Sequence, residues 1–404
     1  MEFLDALTKI VEVKLPWKIN EVVLNEPTKS VNIFIEFEKG SKFECPVCQQ
    51  ESPVYDSAYR VWRHLDICDY RCYLNIKIPR VTCKTHGTKV IQTIPFGRMD
   101  THYSFKFEKL FLAKAKQMSV SAIASELGES DSNLWRVFHH YVEKEKKNID
   151  CSETKIVGVD EKSFSKGHQY VSIFTDQDKG KVIFSTPGRD EKVFELFYSQ
   201  LFEHLSDPNY IEKLSMDMSK SYISGANHFF PHCQQIFDRF HIKKALNEKI
   251  DIIRRQEVKK NEALKKTRYI WLKNQCNLTE IQKAKLDDFL KDTTNNLVKA
   301  YTLKIEFDQL WNVQQNAVEP LLDKWLDKAQ SLNLQPVNDF IKTLLNHKTG
   351  ILNSMKTFIT NAVSEGLNSV FQLAKHRARG FRNINNFINM IYFLGNDFKF
   401  THTK

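Results

Sequence analysis

Three acidic side chains sit in local settings from which carboxylates can hold metal ions. The run Lys155-Ile-Val-Gly-Val-Asp160-Glu161 is short, apolar and β-branched and ends on acid, so it predicts a buried strand delivering Asp160 to the edge of a sheet. Glu212-Lys-Leu-Ser-Met-Asp217 repeats the device, and Val363-Ser-Glu365-Gly-Leu-Asn368 places Glu365 in a helical context. Carboxylates from three separate elements can hold two hard divalent ions, Mg2+ or Mn2+, for in-line attack on a phosphodiester. A single aspartate at a strand end is most often a turn or cap residue; the weight rests on the set. Glu161 competes locally with Asp160, and because successive strand residues point to opposite faces only one of the two faces the ions readily. Asp238 and His241 form a D-x-x-H pair, which as a bare sequence feature is more often a structural hydrogen-bonded pair.

A second constellation has the chemistry of zinc. Cys45-Pro-Val-Cys48 and Cys83-Lys-Thr-His86 each leave two residues between ligands, the spacing at which a tight turn offers two of them to one tetrahedral ion. The segment between them alternates like strands, so a zinc ribbon that folds with little core of its own is expected, holding one structural Zn2+. Cys68 and Cys72 are four apart in strand-like surroundings and are left out of the ligand set.

These groups need elements to position them. Residues 1 to about 40 alternate apolar and polar groups and read as a β-rich lead-in. Between Phe105 and Lys147 the period becomes helical: Ser119 to Gly128 gives one helix closed by glycine, and Asp131 to Val142 a second with Leu134, Val137, Phe138 and Tyr141 on one face. That order is a helix-turn-helix, which would turn Ser132, Asn133 and Arg136 towards DNA, with a plain helical hairpin as the alternative. After Asp160 come Gln169 to Thr175, a polar turn, and Lys181 to Ser185: a three-strand meander. A helix, the strand of Asp217, and a strand from Gln235 running into a long helix follow, the order of a ribonuclease-H-like fold. Residues 247–345 are charged, glycine-poor and helical in period, with Trp271, Trp311 and Trp325 on amphipathic stretches.

The 404 residues carry a formal charge of +10, which points to a polyanionic partner, nucleic acid before membrane surface. An 18-residue apolar run and a signal-peptide pattern are both missing, so a cytoplasmic, nucleoid-associated protein is expected.

The zinc-ribbon pattern with Trp62-Arg-His-Leu-Asp66, Gly158-Val-Asp-Glu161, Ser215-Met-Asp-Met-Ser-Lys220, Phe237-Asp-Arg-Phe-His-Ile-Lys243 and Glu365-Gly-Leu-Asn368, in this order along nearly the whole chain, resembles the ISL3-family insertion-sequence transposases. The resemblance implies a DDE transposase whose N-terminal modules bind terminal inverted repeats and whose catalytic domain uses two magnesium ions. It sets Asp160, Asp217 and Glu365 on the three acidic positions and chooses Asp160 over Glu161. The Asp238-x-x-His241 pair resembles the C/D-x-x-H signature that accompanies the second aspartate in several DDE enzyme groups, and that resemblance implies that His241 contacts a scissile phosphate or orients a catalytic group. Lys375, Arg377, Arg379 and Arg382 match the basic tail after the final glutamate, suited to phosphates of double-stranded DNA. The implied organisation is a lead-in and zinc ribbon over 1–98, helix-turn-helix over 99–150, ribonuclease-H-like α/β catalytic domain over 151–246 and 346–404, and an all-helical insertion over 247–345. Paired-end reactions imply at least a homodimer. Two alternatives are a silent DNA-binding repressor or host-recruited protein, and a simple metal-dependent nuclease.

Overall fold

The computed structural model describes residues 3–165, 169–204, 206–357, 359 and 362–400. The chain divides into two compact units, Met1–Glu145 with Phe398–Lys404, and Lys146–Asp397.

The first unit begins with helix α1 (Phe3–Val11) and continues through strands β1 (Trp17–Asn25), β2 (Ser30–Phe37), β3 (Lys42–Glu44), β4 (Glu51–Arg63), β5 (Arg71–Cys83) and β6 (Gly87–Val90). The opening helix departs from the β-rich lead-in expected of these residues. Its Leu7 and Val11 are one helical turn apart and both bury against the sheet. The sheet runs β1-β2-β5-β4-β3, with β6 on the flank of β5. Its inner face buries Trp17, Ile33, Ile35, Trp62, Leu74 and Ile76, so the zinc-ligand turns rest on a substantial core of their own, contrary to the expectation of little core.

Helices α2 (Phe105–Ala115), α3 (Val120–Leu127) and α4 (Asp131–Lys146) complete the unit. Gly128 closes α3 in the left-handed conformation with φ 65°, where a side chain would be strained. The turn that follows is tied to the sheet: Glu129 pairs with buried Arg63 (3.3 Å) and accepts from the Tyr103 hydroxyl (2.9 Å). Leu134, Val137, Phe138 and Tyr141 of α4 are buried as their spacing requires. The charge run after residue 142 extends α4 to Lys146.

The second unit is built on β7 (Ile156–Ser165), β8 (Gln169–Asp176), β9 (Lys181–Pro187), α5 (Lys192–Glu203), β10 (Lys213–Met216), α6 (Lys220–Phe229) and β11 (Gln234–Phe237). Its sheet runs β11-β10-β7-β8-β9; β7 to β9 form an antiparallel meander, whereas β10 lies parallel to both β7 and β11. Val157, Val159, Phe174, Leu214 and Met216 are all but fully buried, matching the near-continuous apolar runs of strands covered on both faces. Phe174 stacks on Phe197 of α5 at 4.4 Å between ring centres.

Helices α7 (Arg239–Val258), α8 (Arg268–Leu272), α9 (Glu280–Phe289), α10 (Asn296–Gln309), α11 (Gln315–Ser331) and α12 (Gln335–Asn346) follow. All three tryptophans here are buried; Trp325 donates to the Leu303 carbonyl (2.9 Å) and Trp271 to the Thr267 hydroxyl (3.0 Å). Helix α7 leaves β11 and is held to α10 by a Lys243–Asp308 ion pair of 2.7 Å. Helices α13 (Lys348–Thr357), α14 (Ala362–Arg377) and α15 (Ile384–Leu394) return to the sheet. There α13 packs on β11, α14 on β7 and α15 on β9.

Candidate active site and metal centre

Strand register brings the first two acids together. Ser215 of β10 pairs with Gly158 of β7, and two residues further along this parallel register Asp217 stands level with Asp160. Met216 pairs likewise with Phe237, which sets Asp238 on the other side of Asp217, and the Asp238 N–H donates to the Met216 carbonyl (2.9 Å). The row Asp160, Asp217, Asp238 therefore crosses three neighbouring parallel strands. Asp217 and Asp238 directly follow β10 and β11, whereas Asp160 lies midway along β7. That strand continues to Ser165 because its pairing with β8 runs on past the acid, so the strand expected to end at Asp160 does not. Each side chain is also fixed locally. Asp217 accepts from the Ser219 N–H (2.8 Å), and Asp160 from the Glu161 N–H (2.7 Å). Asp238 caps α7 by accepting from the Phe240 N–H and holds His241 Nδ1 at 2.9 Å.

Glu365 lies in the first turn of α14, the helix laid along β7. Its side chain is exposed, and the contact reaching the aspartates comes from one turn further on: Asn368 donates its side-chain amide to Asp160 Oδ2. Asn368 closes the Glu365-Gly-Leu-Asn368 motif, from which the sequence alone assigns it no role. The signal available was its spacing, since three residues along a helix from Glu365 puts it on the neighbouring surface. Lys375, expected to meet DNA phosphate, instead donates to the Ser163 carbonyl of β7, while Arg377, Arg379 and Arg382 are exposed.

The electrostatics are those of an acidic cluster short of positive charge. Burial pushes the Asp160 carboxyl above its usual range, against the Glu161 N–H, Lys162, Asn368 and His241. Burial also raises Glu161, with repulsion from Asp217 and Asp160 adding to it and Arg189, 3.6 Å away, opposing it. The Asp238 hydrogen bond raises His241 towards its charged form, and the charges of Asp217 and Asp160 act the same way. A hard divalent cation would relieve this repulsion, so the donor set fits Mg2+ or Mn2+.

The sulfur-rich site is more nearly complete. Among the described residues, Cys45, Cys48, Cys83 and His86 are a set whose ligand atoms all lie within 4.8 Å of one another. Cys48 and Cys83 sulfurs are 3.6 Å apart, and His86 Nδ1 lies 3.6 Å from Cys83 and 3.8 Å from Cys45. Those are the edges of a tetrahedron of the size expected around zinc, with bonds of about 2.3 Å to sulfur and about 2.0 Å to nitrogen. Backbone N–H groups of His86 and Thr85 bring the Cys83 thiol down to about 6, favouring the thiolate a metal takes. Cys72 is buried in the sheet core with its thiol pushed up to about 12 by burial, and Cys68 sits exposed in a turn.

On α4, Ser132 and Arg136 are exposed, whereas Asn133 is half-buried beside the Tyr103 hydroxyl and 3.4 Å from an Arg136 nitrogen. Arg136, His140 and Lys144 continue along one side of the helix. The last two line a cavity of about 1210 Å3 together with Arg60, Lys106 and Lys109. No described helix is long and apolar enough to cross a membrane.

Comparison with known proteins agrees with this layout. The family model for ISL3 transposases matches residues 157–391, more than half of the chain, and spans all three acids. A zinc-finger model of the IS204, IS1001, IS1096 and IS1165 transposases matches residues 41–86, which include the four Cys and His ligands. The transposase of insertion sequence IS1557 from Mycobacterium tuberculosis is 26% identical over 373 residues, covering 84% of this chain and 82% of the relative. That of IS1001 from Bordetella parapertussis is 24% identical over 344 residues, covering 83% of each. The chain belongs to the ISL3 family of insertion-sequence transposases.

Proposed function

We propose that the chain is a DDE transposase that binds the terminal inverted repeats of its insertion sequence, cleaves DNA at their ends and joins the freed ends to target DNA. The observation that carries this reading is the parallel register of β7 and β10, which sets Asp160 and Asp217 level on neighbouring strands, beside the helix that bears Glu365 and whose Asn368 bonds Asp160. The strand order β9-β8-β7-β10-β11, with β8 antiparallel to its neighbours, supports a ribonuclease-H-like assignment of this sheet.

Asp160 and Asp217 would bind the divalent ions, with Glu365 completing the set. When bound, such ions activate a water or a terminal 3′-hydroxyl and stabilise the leaving oxygen. Asn368 keeps Asp160 in one orientation, and the Asp238 carboxylate does the same for His241, whose raised affinity for a proton suits a contact to phosphate. In the first unit, the helix pair α3 and α4 supports a helix-turn-helix reading, with Ser132 and Arg136 reaching base edges and Asn133 bracing Arg136. The zinc turns would stiffen the sheet to which that pair is tied. Arg377, Arg379 and Arg382 are exposed and available to phosphates beyond the cleaved bond. Two ends must be paired for joining, so the working form is at least a homodimer.

Incubating purified protein with a plasmid carrying the element and its flanks tests the reading. Nicks or breaks at the element ends with Mg2+ or Mn2+, abolished by chelator, are expected. End binding without cleavage under either ion would favour a silent DNA-binding protein, and cleavage with no joined product a simple nuclease.

A further inference from the structure

The turn of α14 that carries Glu365 is fixed by a buried polar cluster. Ser364, immediately before Glu365, is 3% exposed. The Gln177 side-chain amide donates to Ser364 Oγ (2.9 Å) and to Thr175 Oγ1 (2.8 Å), and the two hydroxyl oxygens lie 3.2 Å apart. Thr175 donates in turn to the Gly158 carbonyl (3.2 Å). The hydrogens balance: both Gln177 amide hydrogens have hydroxyl acceptors, Thr175 gives its hydrogen to Gly158, and Ser364 gives its own to Thr175. Gln177 is held in place through its backbone, whose N–H donates to the Ile156 carbonyl of β7 (2.9 Å).

Gly158 makes room for this arrangement. A methyl group there would stand 2.8 Å from the Thr175 hydroxyl and fall on the Gln177 amide. Gly158 and Thr175 are cross-strand partners, and Gly158 is two residues before Asp160 on the same strand. The seat for α14 and the first metal-binding acid therefore share one stretch of backbone.

We propose that Gly158, Thr175 and Gln177 form a seat that sets the rotation and height of α14 through Ser364, making Gln177 and Ser364 positioning residues for Glu365. Ser364 and Asn368 are one turn apart on one side of the helix and both are bound to the meander, one to the seat and the other to Asp160. Glu365 lies about 100° round the helix from Ser364. Its direction is therefore set by the rotation those two contacts fix, and a displacement of about 1 Å at a reacting centre can cost roughly 100-fold in rate. The inference rests on reading Glu365 as the third carboxylate.

The test compares the full chain with Gln177→Leu, Ser364→Ala and Ser364→Thr, measuring end cleavage against Mg2+ concentration, end binding and thermal unfolding. Gln177→Leu and Ser364→Ala should raise the half-saturating Mg2+ concentration roughly 10–100-fold, as loss of groups that orient metal ligands does. End binding should stay as in the unaltered chain, the unfolding temperature should fall by a few degrees at most, and Ser364→Thr, which keeps the hydroxyl, should keep the original metal requirement. Gly158→Ala, whose methyl would fall on the Gln177 amide and crowd the Thr175 hydroxyl, should cause the same defect. Unchanged metal dependence in Gln177→Leu and Ser364→Ala, with the unaltered chain cleaving, would overturn the seat alone. An unaltered chain that binds ends and never cleaves would overturn the reading of Glu365 beneath it.

Discussion

The side-chain amide of Asn368 donates to the carboxylate of Asp160 across 208 residues of sequence, with the whole helical insertion folded between them. Together with the bond from Lys375 to the Ser163 carbonyl, it ties the helix that carries Glu365 to the strand that carries the first acid.

Removing that donor has a sign that can be worked out. Burial already raises Asp160, and the Asn368 amide favours its charged form. Without the amide the carboxyl is raised further, so a higher pH is needed to ionise it for metal binding. Asn368→Ala should cut cleavage on the acidic limb of the pH–rate profile by roughly 10–100-fold, the equivalent of a charge-assisted hydrogen bond of about 1.5–3 kcal/mol. The acidic limb of the pH–rate profile should move to higher pH, with partial recovery of rate there. A uniform loss at every pH would mean that the amide does something other than hold Asp160 ionised.

The zinc turns predict a pattern of thiol reactivity. Cys83 is lowered to about 6, whereas Cys72, Cys151 and Cys233 are pushed up to about 12 by burial. In chelator-treated protein near neutral pH, iodoacetamide should label Cys83 well before those three, and bound zinc should protect it. Cys48→Ser should lose about one zinc per chain by metal analysis.

On the proposed reading, the exposed arginines make two kinds of DNA contact. Arg379→Ala should weaken end binding about equally for matched and scrambled ends and reduce the slope of log affinity against log salt by about one. Arg136→Ala should instead relax preference for the element's own ends, costing about 1–3 kcal/mol of discrimination at one position. Titrating both variants over a range of salt on both DNAs distinguishes the two.

Packing beside the site gives a stability prediction. Gly350 of α13 lies so close to the Phe237 ring that a methyl group would overlap it, and Phe237 directly precedes Asp238. Gly350→Ala should destabilise the second unit by about 1–3 kcal/mol in denaturant unfolding. Gly366→Ala, where a methyl group meets nothing within 4 Å, should be neutral or slightly stabilising.

The parts legible in the sequence were those whose signal is local. An apolar β-branched run followed by acid identifies the strands of Asp160 and Asp217, and the parallel register then makes the two acids neighbours. Only Asp217 stands at a strand end; β7 runs on to Ser165, a continuation its polar residues did not signal. Turn spacing did the same for Cys45, Cys48, Cys83 and His86. Contacts between distant segments were not legible. Nothing near Gln177 points to Ser364, 187 residues away, and nothing near Lys375 points to the Ser163 carbonyl, so it read as one more phosphate contact in a basic tail. The opening helix was missed because its alternating neighbours in β1 and β2 dominated the pattern around it.

The most direct measurement pairs end binding with end cleavage for Asp217→Asn, which keeps the shape of the side chain and removes its charge. Binding within about twofold of the unaltered chain, with loss of all metal-dependent nicks at the element ends, is the result expected if Asp217 and Asp160 hold the ions. Cleavage that persists at the same ends and with the same metal requirement would contradict the assignment of this acidic row as the catalytic centre.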